Sequence, residues 1–261
     1  MDFSRTGRLR RALLAGALLA ALAPMARADD APGFDRPGLG FSTNPLLAGQ
    51  LAYEQGLPDA SRHREDGSSS TLTTLDSLLR LGLGGGFEAQ LGSSPWNRLS
   101  QRDAGGSQVV HGHGDTSLAL KWAPPIASEV WDWGALGSVE FTDGARGLRS
   151  DRRVYTLGTV LDQRLTTRAD ISYFLQWQRS GGQSNWLFAP DYNYQLNDRF
   201  GVYLESALLR DAEHRNGAQA GGGLAWQPTA RLQFDTWFRH RLGGHAPVWE
   251  AGMGVAMFFG R

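Results

Sequence analysis

The sequence predicts an all-β protein, a closed antiparallel transmembrane β-barrel of about 12 strands. Three observations support this prediction: an export leader, segments in which apolar and polar residues alternate with a period of two, and connections that alternate between short and long. A water-soluble β-sandwich also has alternating strands, so the lengths of the connections decide between the two architectures.

Residues 1–28 have the pattern of a secretory signal peptide. Four arginines lie within the first 11 residues, an apolar run covers 12–23, and Ala26 and Ala28 are the small residues of a cleavage site after Ala28. The apolar run is about a dozen residues long, whereas a helix needs roughly 20 to span a bilayer. We therefore expect export and cleavage rather than a membrane anchor.

The composition of the exported part excludes several classes of protein. Without the leader, the chain has four more acidic than basic residues, which argues against a nucleic-acid partner because such binding needs a basic face. The chain has no cysteine, and so no disulfide framework and no thiolate site. Its 34 glycines, nine tryptophans, six tyrosines and 12 phenylalanines favour strands over helices.

The segment 29–46 does not alternate like a strand and contains Pro32, Pro37 and Pro45. Two arrangements remain open for it. It is either a loose periplasmic start, which is the common behaviour of chain termini, or a plug that enters the barrel lumen. We expect the barrel itself to cover 47–261.

Twelve segments have the alternation of strands with one apolar and one polar face. In one of them, Tyr173 and Leu175 share a face while Ser172 and Gln176 share the opposite one. The predicted strands are 47–57, 70–81, 85–94, 113–123, 133–142, 152–163, 167–179, 184–196, 199–209, 217–227, 230–240 and 249–259.

The connections between these strands fall into two length classes. The short ones are 82–84, 164–166, 197–198 and 228–229, with 124–132 rather longer; the long polar ones are 58–69, 92–112, 142–151 and 209–216. Bacterial barrels have an even number of strands, short periplasmic turns and longer outer loops. A sandwich with crossing connections has no reason to sort its loops in this way.

Charged residues occupy the polar phase of the predicted strands. In a closed barrel that phase faces the lumen, where acids and bases can pair, and the other phase faces lipid. The predicted lumen-lining residues are Glu54, Arg80, Glu88, Asp115, Lys121, Glu140, Asp170, Glu205, Asp235, Arg239 and Glu250.

Several tryptophans mark the predicted membrane interfaces, where aromatic girdles flank the apolar band of a barrel. Packing inside a core is the alternative for any one of them. The predicted interface aromatics are Trp122, Trp133, Trp226 and Trp249 at strand ends, with Trp177 and Trp186 beside a loop at the opposite rim.

Four stretches resemble the outer-membrane β-barrel transporter family associated with the meta-pathway of phenol degradation. They are 35–38 with 48–54, 78–83 with 87–91, the Gly-x-Gly-Asp strand opening in 112–122, and 232–235. They occur in order over most of the exported chain. One departure is the C-terminus, where Phe259 is followed by Gly260 and Arg261 instead of ending the chain, which affects the signal for the barrel-assembly machinery.

The resemblance implies an outer-membrane channel or transporter of a Gram-negative bacterium that passes small hydrophobic or aromatic compounds, without a cofactor. Outer-membrane lipid, lipopolysaccharide and the barrel-assembly machinery are the partners we expect besides the solute. The residues themselves leave a second function open, a structural or surface-interaction barrel with a closed lumen whose outer loops, such as 61–66, contact lipopolysaccharide.

Other chemistries have weaker support. His111 and His113 resemble metal ligands, but no third or fourth ligand is evident, so we expect a solvated loop. Ser93, Ser94, His63 and Asn97 would be the candidates for lipid hydrolysis, yet the chain has no Gly-x-Ser-x-Gly elbow, and we expect no enzyme. The glycine clusters 84–86 and 221–223 lack the lysine of a phosphate loop and fit strand bends or close approach of neighbouring chain.

Overall fold

The structure, a computed structural model, describes residues 33–126 and 128–260. The predicted signal peptide and residues 29–32 lie outside these ranges. The strands are β1 (Leu51–Glu65), β2 (Ser68–Thr74), β3 (Ser77–Gly84), β4 (Phe87–Ser93), β5 (Asn97–Asp103), β6 (Gly106–Gly112), β7 (Ser117–Trp122), β8 (Trp131–Glu140), β9 (Val154–Thr166), β10 (Ala169–Ser180), β11 (Gln183–Asn197), β12 (Phe200–Arg210), β13 (Asn216–Thr229), β14 (Leu232–Gly244) and β15 (Trp249–Phe259).

The sheet closes on itself as an antiparallel barrel. The last strand, β15, pairs with β1, with Leu51 opposite Phe259 and Arg62 opposite Trp249. Twelve strands go round the wall, because β2, β5 and β6 continue β3, β4 and β7 along the chain instead of adding places to the circle. The predicted closed barrel of about 12 antiparallel strands is therefore confirmed. Among the described residues, no helix is long and apolar enough to span a membrane.

The two ends of the barrel differ in their connections. The terminal end, which contains Leu51 and Phe259, has two-residue turns at 85–86, 167–168, 198–199 and 230–231 and a longer connection between β7 and β8. The opposite end, called the loop end below, has the long connection 141–153, the shorter 211–215 and 245–248 and one two-residue turn at 181–182.

The prediction of two loops at the loop end is wrong for 58–69 and for 92–112. There the second half of β1 pairs with β2, β2 pairs with β5, and β5 pairs with β6, which forms a sheet extension over 59–74 and 97–112. Asp66 and Gly67 both have positive φ, 46° and 80°, as a tight two-residue hairpin turn of Asp-Gly type requires. Serine, threonine and arginine on both faces removed the alternation that would have revealed these strands.

Outward side chains of the barrel wall are apolar and exposed. Leu204, at 69% exposure, and Phe234, at 40%, are two of many such residues. Near the terminal end, Trp122 stacks on Phe87 with ring centroids 5.7 Å apart, and Trp226 stacks on Phe200 at 6.1 Å. An apolar belt of this extent with aromatic rings at its edge matches the lipid-facing surface of a membrane barrel.

The other predicted interface aromatics are placed as follows. Trp133 lies beside Trp122 at the terminal end, with ring centroids 5.4 Å apart. Trp177 and Trp186 face each other across neighbouring strands toward the loop end, with centroids 6.5 Å apart. Trp249 also lies at the loop end, opposite His240.

Close strand approach at the 221–223 glycines gives a test of packing in the wall. A Cβ atom on Gly221 would lie 2.0 Å from the carbonyl oxygen of Phe238 on the next strand, whereas a Cβ atom on Gly243 would meet nothing within 4 Å. We expect Gly221→Ala to lower the free energy of unfolding by about 2 kcal/mol, since overpacking forces the backbone apart. Gly243→Ala is the matched control and should stay within about 0.5 kcal/mol. Urea unfolding in lipid vesicles measures both, and equal stabilities would contradict the close approach.

Candidate functional site

Residues 33–46 run through the lumen and are called the plug below. The plug contacts inward side chains of β1, β4, β7, β9 and β14, through Glu54, Gln90, Lys121, Asp162 and Asp235. Contacts on so many sides of the wall require a position inside the barrel. These contacts involve 35–43, and β1 begins only at Leu51.

Apolar side chains fix the two ends of the plug. Phe34 and Leu46 pack with Phe258 of the last strand in one buried cluster. Further along, Phe41 meets Phe174 edge to face, with ring centroids 5.9 Å apart. The sequence predicted polar inner faces for β10 and β15. Phe174 and Phe258 are apolar residues on these inner faces, and their packing against the plug explains both exceptions.

A fully buried arginine is the centre of the ionic contacts between plug and wall. Arg80 has no exposed side-chain surface; its Nη1 donates to Glu54 Oε1 at 2.8 Å, and its Nε and Nη2 donate to the two carboxylate oxygens of Glu88 at 2.9 Å each. The bidentate pairing is the geometry in which guanidinium and carboxylate interact most strongly. These three residues, on β1, β3 and β4, were all predicted to line the lumen.

Asp35 of the plug joins this cluster. Its Oδ1 accepts from Lys121 Nζ at 3.0 Å and lies 3.4 Å from Arg80 Nη1, while Lys121 also lies 3.1 Å from Glu88. Burial raises the pKa of Asp35, but the charges of Arg80 and Lys121 outweigh it and hold the pKa below its usual value. Asp35 is therefore ionised and tied to the wall.

Arg36 makes the second ionic connection of the plug. Its guanidinium bridges two strands, with Nη1 donating to Asp59 Oδ2 at 2.8 Å and Nη2 donating to Asp235 Oδ1 at 3.2 Å. Its carbonyl accepts from Gln233 at 2.7 Å. Gly254 makes room for it, because a Cβ atom there would lie 2.3 Å from Arg36 Nε.

A third ionic group lies in the wall beside the plug. Arg239 donates to Glu205 at 3.0 Å and to Glu250 at 3.2 Å, and its guanidinium lies 4.1 Å from the centre of the Trp237 ring. Trp237 is on the inward phase of β14, a position that the sequence did not identify as lumenal. A guanidinium stacked on indole with two carboxylates is a rigid arrangement.

The remaining predicted lumen residues belong to none of these groups. Asp115 accepts from the amides of Gly144 and Ser150, at 2.8 and 2.6 Å, and Glu140 accepts from Ser150 Oγ at 2.9 Å, so both hold the 141–153 connection. Asp170 accepts from Asn193 at 2.9 Å. Arg36 and Asp59 were missed, Asp59 because it falls within a stretch predicted as a loop.

The plug separates two cavities. One, of about 320 Å³, lies on its loop-end side. Its apolar lining consists of Leu39, Phe41, Leu78, Leu136 and Phe174, and its polar lining consists of Asp35, Arg36, Glu54, Asp76, Ser77, Gln90 and Gln176. The other, of about 460 Å³, opens at the terminal end and is lined mainly by polar side chains, among them Asn193, Gln227 and Gln233. Arg36 lines both cavities. Arg36 therefore lies at the boundary between these two cavities.

The alternative chemistries find little geometric support. In 33–126 and 128–260, no group of three or more histidine or carboxylate side chains is placed to hold a metal ion. His111 lies beside the ring of Trp96 on the sheet extension. The Asn97 amide is 3.2 Å from Ser94 Oγ, but no hydrogen bond within the described ranges connects His63 to Ser93 or Ser94.

Comparison with known proteins supports the fold. No family model matches the sequence, and no curated protein matches it. Among solved structures, an outer membrane channel from Pseudomonas putida F1 is 12% identical with a TM-score of 0.62, and the match covers 90% of this chain and 100% of that one.

Two further solved barrels are similar over most of the chain. The translocator domain of the autotransporter NalP from Neisseria meningitidis is 15% identical, with a TM-score of 0.55 and coverage of 97% of this chain and 98% of that one. The KdgM porin in complex with disordered oligogalacturonate is 8% identical, with a TM-score of 0.53 and coverage of 81% and 99%. Together with the plug, these matches define the class as a plugged 12-stranded barrel with the fold of outer-membrane proteins. At such identities, the likeness shows the fold alone.

The buried cluster predicts a strong effect of removing its cation. Arg80→Met would leave Glu54, Glu88 and Asp35 without their shared guanidinium, and we expect the free energy of unfolding to fall by about 3–5 kcal/mol. Arg164→Met is the matched control, because Arg164 is 54% exposed, pairs with the exposed Asp132 at 3.5 Å and donates to the carbonyl of Glu129; it should cost about 1 kcal/mol or less. Urea titrations in vesicles compare the two, and an Arg80→Met barrel as stable as the control would disprove the role of the cluster.

Proposed function

We propose that the chain is an outer-membrane channel for small, largely apolar compounds, and that the plug must shift for a solute to pass. The observation that carries this proposal is the apolar loop-end cavity lying directly on the plug. A pocket with an apolar wall and a few polar groups is the usual form of a site for small organic molecules. Its volume, about 320 Å³, suits a compound of the size of a substituted benzene.

The proposed location follows from the leader and the outer surface. An export signal, an apolar belt with aromatic rings at its rim and a closed ladder of strands are together the features of an outer-membrane barrel. The apolar side chains that face outward would be unfavourable in water. The outer membrane of a Gram-negative cell is where such a protein is stable.

The contacts of the plug suggest which part of it moves. The Arg80 cluster is almost completely buried, with Asp35 9% exposed. The side chains of Arg36 and Asp59 are 17% and 12% exposed, and Arg36 lines both cavities. Ion pairs reached by water exchange partners more readily than buried ones. In our proposal Asp35 anchors the plug while the segment after Arg36, which includes Gly38 at φ 111° and Gly40, swings away from Phe174.

The finer substrate assignment comes from the resemblance to the phenol meta-pathway family. We propose monoaromatic hydrocarbons and related compounds as solutes, because aromatic rings fit against Phe41 and Phe174. The second candidate function is a structural or surface-interaction barrel, and the observation that favours it is that ion pairs tie the plug to several strands of the wall.

The plug contact predicts a gain of conductance when Arg36 is changed. Arg36→Gln removes both ion pairs, and we expect channel openings in planar bilayers to become at least several-fold more frequent. Arg210→Gln is the control, because Arg210 is the last residue of β12 and is exposed. This variant should behave like the wild type. If neither Arg36→Gln nor deletion of 33–46 conducts, the closed-lumen barrel is the better description.

The apolar cavity predicts an effect on uptake. Phe174→Gln places an amide among Leu39, Phe41 and Leu136, where a buried polar group without a partner disfavours an apolar ligand. We expect accumulation of labelled toluene by intact cells to fall several-fold compared with the wild type. Gln178→Asn, at a lumenal position of the same strand outside the cavity, should leave accumulation unchanged. Equal accumulation in cells with and without the chain would refute the proposed solute.

A further inference from the structure

The outward face of the sheet extension carries four arginines, Arg62, Arg64, Arg98 and Arg102, which we call the arginine face. The strand register places them together: Ser69 lies opposite both Arg64 and Arg102. Arg62 lies opposite Thr71, and Arg98 lies opposite Thr73. Since neighbouring strands are about 4.8 Å apart and side chains alternate between faces, all four Cβ atoms lie within roughly 15 Å on one surface.

The charge of the arginine face is not compensated by the protein. Within the described part of the chain, no carboxylate lies within 4.0 Å of any of these four guanidinium groups. Glu65 and Asp103 border the same cavity as Arg64 and Arg102. They belong to the opposite phase and have other partners, since Glu65 pairs with Arg215 and His245 and Asp103 accepts from the amide of Gly105. Like charges gathered on one surface repel each other unless an anion binds between them.

The arginine face begins where the apolar belt ends. The residues from Leu51 to Arg62 of a tilted strand rise about 28 Å along the barrel axis, and the apolar band of such barrels is about 25 Å tall. Leu57, exposed at 43%, is the last large apolar side chain of β1 on this surface. Trp249, directly opposite Arg62, has the position of an interfacial aromatic residue.

We propose that the arginine face binds the phosphate groups of an outer-leaflet glycolipid, with the acyl chains of that lipid lying against the apolar belt below. A guanidinium group donates two parallel hydrogen bonds to two oxygens of one phosphate. Arginine therefore suits phosphate binding better than a residue with a single point charge, such as lysine. The lipid supplies both features that the surface requires, anionic groups at the height of Arg62 and apolar chains beneath them. The inference rests on the proposed outer-membrane location but not on the passage of solutes.

The test measures lipid binding by the full exported chain in detergent micelles. The probe is lipid A with two phosphates, titrated while tryptophan fluorescence is recorded, and native mass spectrometry counts the bound lipids. Arg62→Gln combined with Arg102→Gln should weaken binding about tenfold or more, because hydrogen bonds between charged groups are lost. Arg179→Gln combined with Arg210→Gln is the matched control, since it removes two exposed outward arginines from other strands, and it should bind within about twofold of the wild type.

Each of the other outcomes overturns the proposal. An equal loss in both double variants would indicate attraction by overall charge, and undiminished binding of lipid A stripped of its phosphates would exclude phosphate recognition. Displacement of the lipid by millimolar inorganic phosphate would identify an ion site instead. A folded barrel changes its migration on a denaturing gel when it is heated, and this change verifies that each variant is folded. If a double variant does not fold, the corresponding single variants are tested in its place. This experiment does not measure solute transport. Lipid binding can therefore be confirmed even if the barrel does not conduct.

Discussion

The closing ladder between β1 and β15 is the constraint on which the other features depend. Lipid offers no hydrogen bonds to a backbone, so a sheet in a membrane is stable only when its first and last strands pair. Closure then gives the wall one face in contact with lipid and one that is enclosed. Within the height of the apolar belt, the charged side chains of the strands lie on the enclosed face, where each charge needs a partner because water is scarce.

The plug completes this balance of charge. On the wall alone, Arg80 and Lys121 match Glu54 and Glu88, but in the described chain the pair Asp59 and Asp235 finds its cation only in Arg36 of the plug. Two carboxylates facing each other without a cation would repel, so the empty barrel would be less stable than the filled one. The plug is therefore part of the fold and not only an obstruction within it.

Alternation in the sequence predicted the barrel and the phase of its strands, since period two is a local property. It could not reveal the extension at 97–112, where both faces are polar and no period exists. Alternation also could not predict that Phe174 and Trp237 face inward. An apolar residue on an inward phase is explained only by the side chains that pack on it. The pairing of Arg36 with Asp235, 199 residues away, depends on the closed circle itself.

The shared fold separates architecture from activity. A channel, a porin and an autotransporter domain have similar walls, so the wall does not determine what passes through it. In this chain the lumen is filled by residues of the plug. Asp35, 9% exposed, belongs to the buried cluster, and its neighbour Arg36, 17% exposed, makes a bridge that water reaches more easily. In our proposal the plug therefore stays anchored at Asp35 and turns about this residue without leaving the barrel.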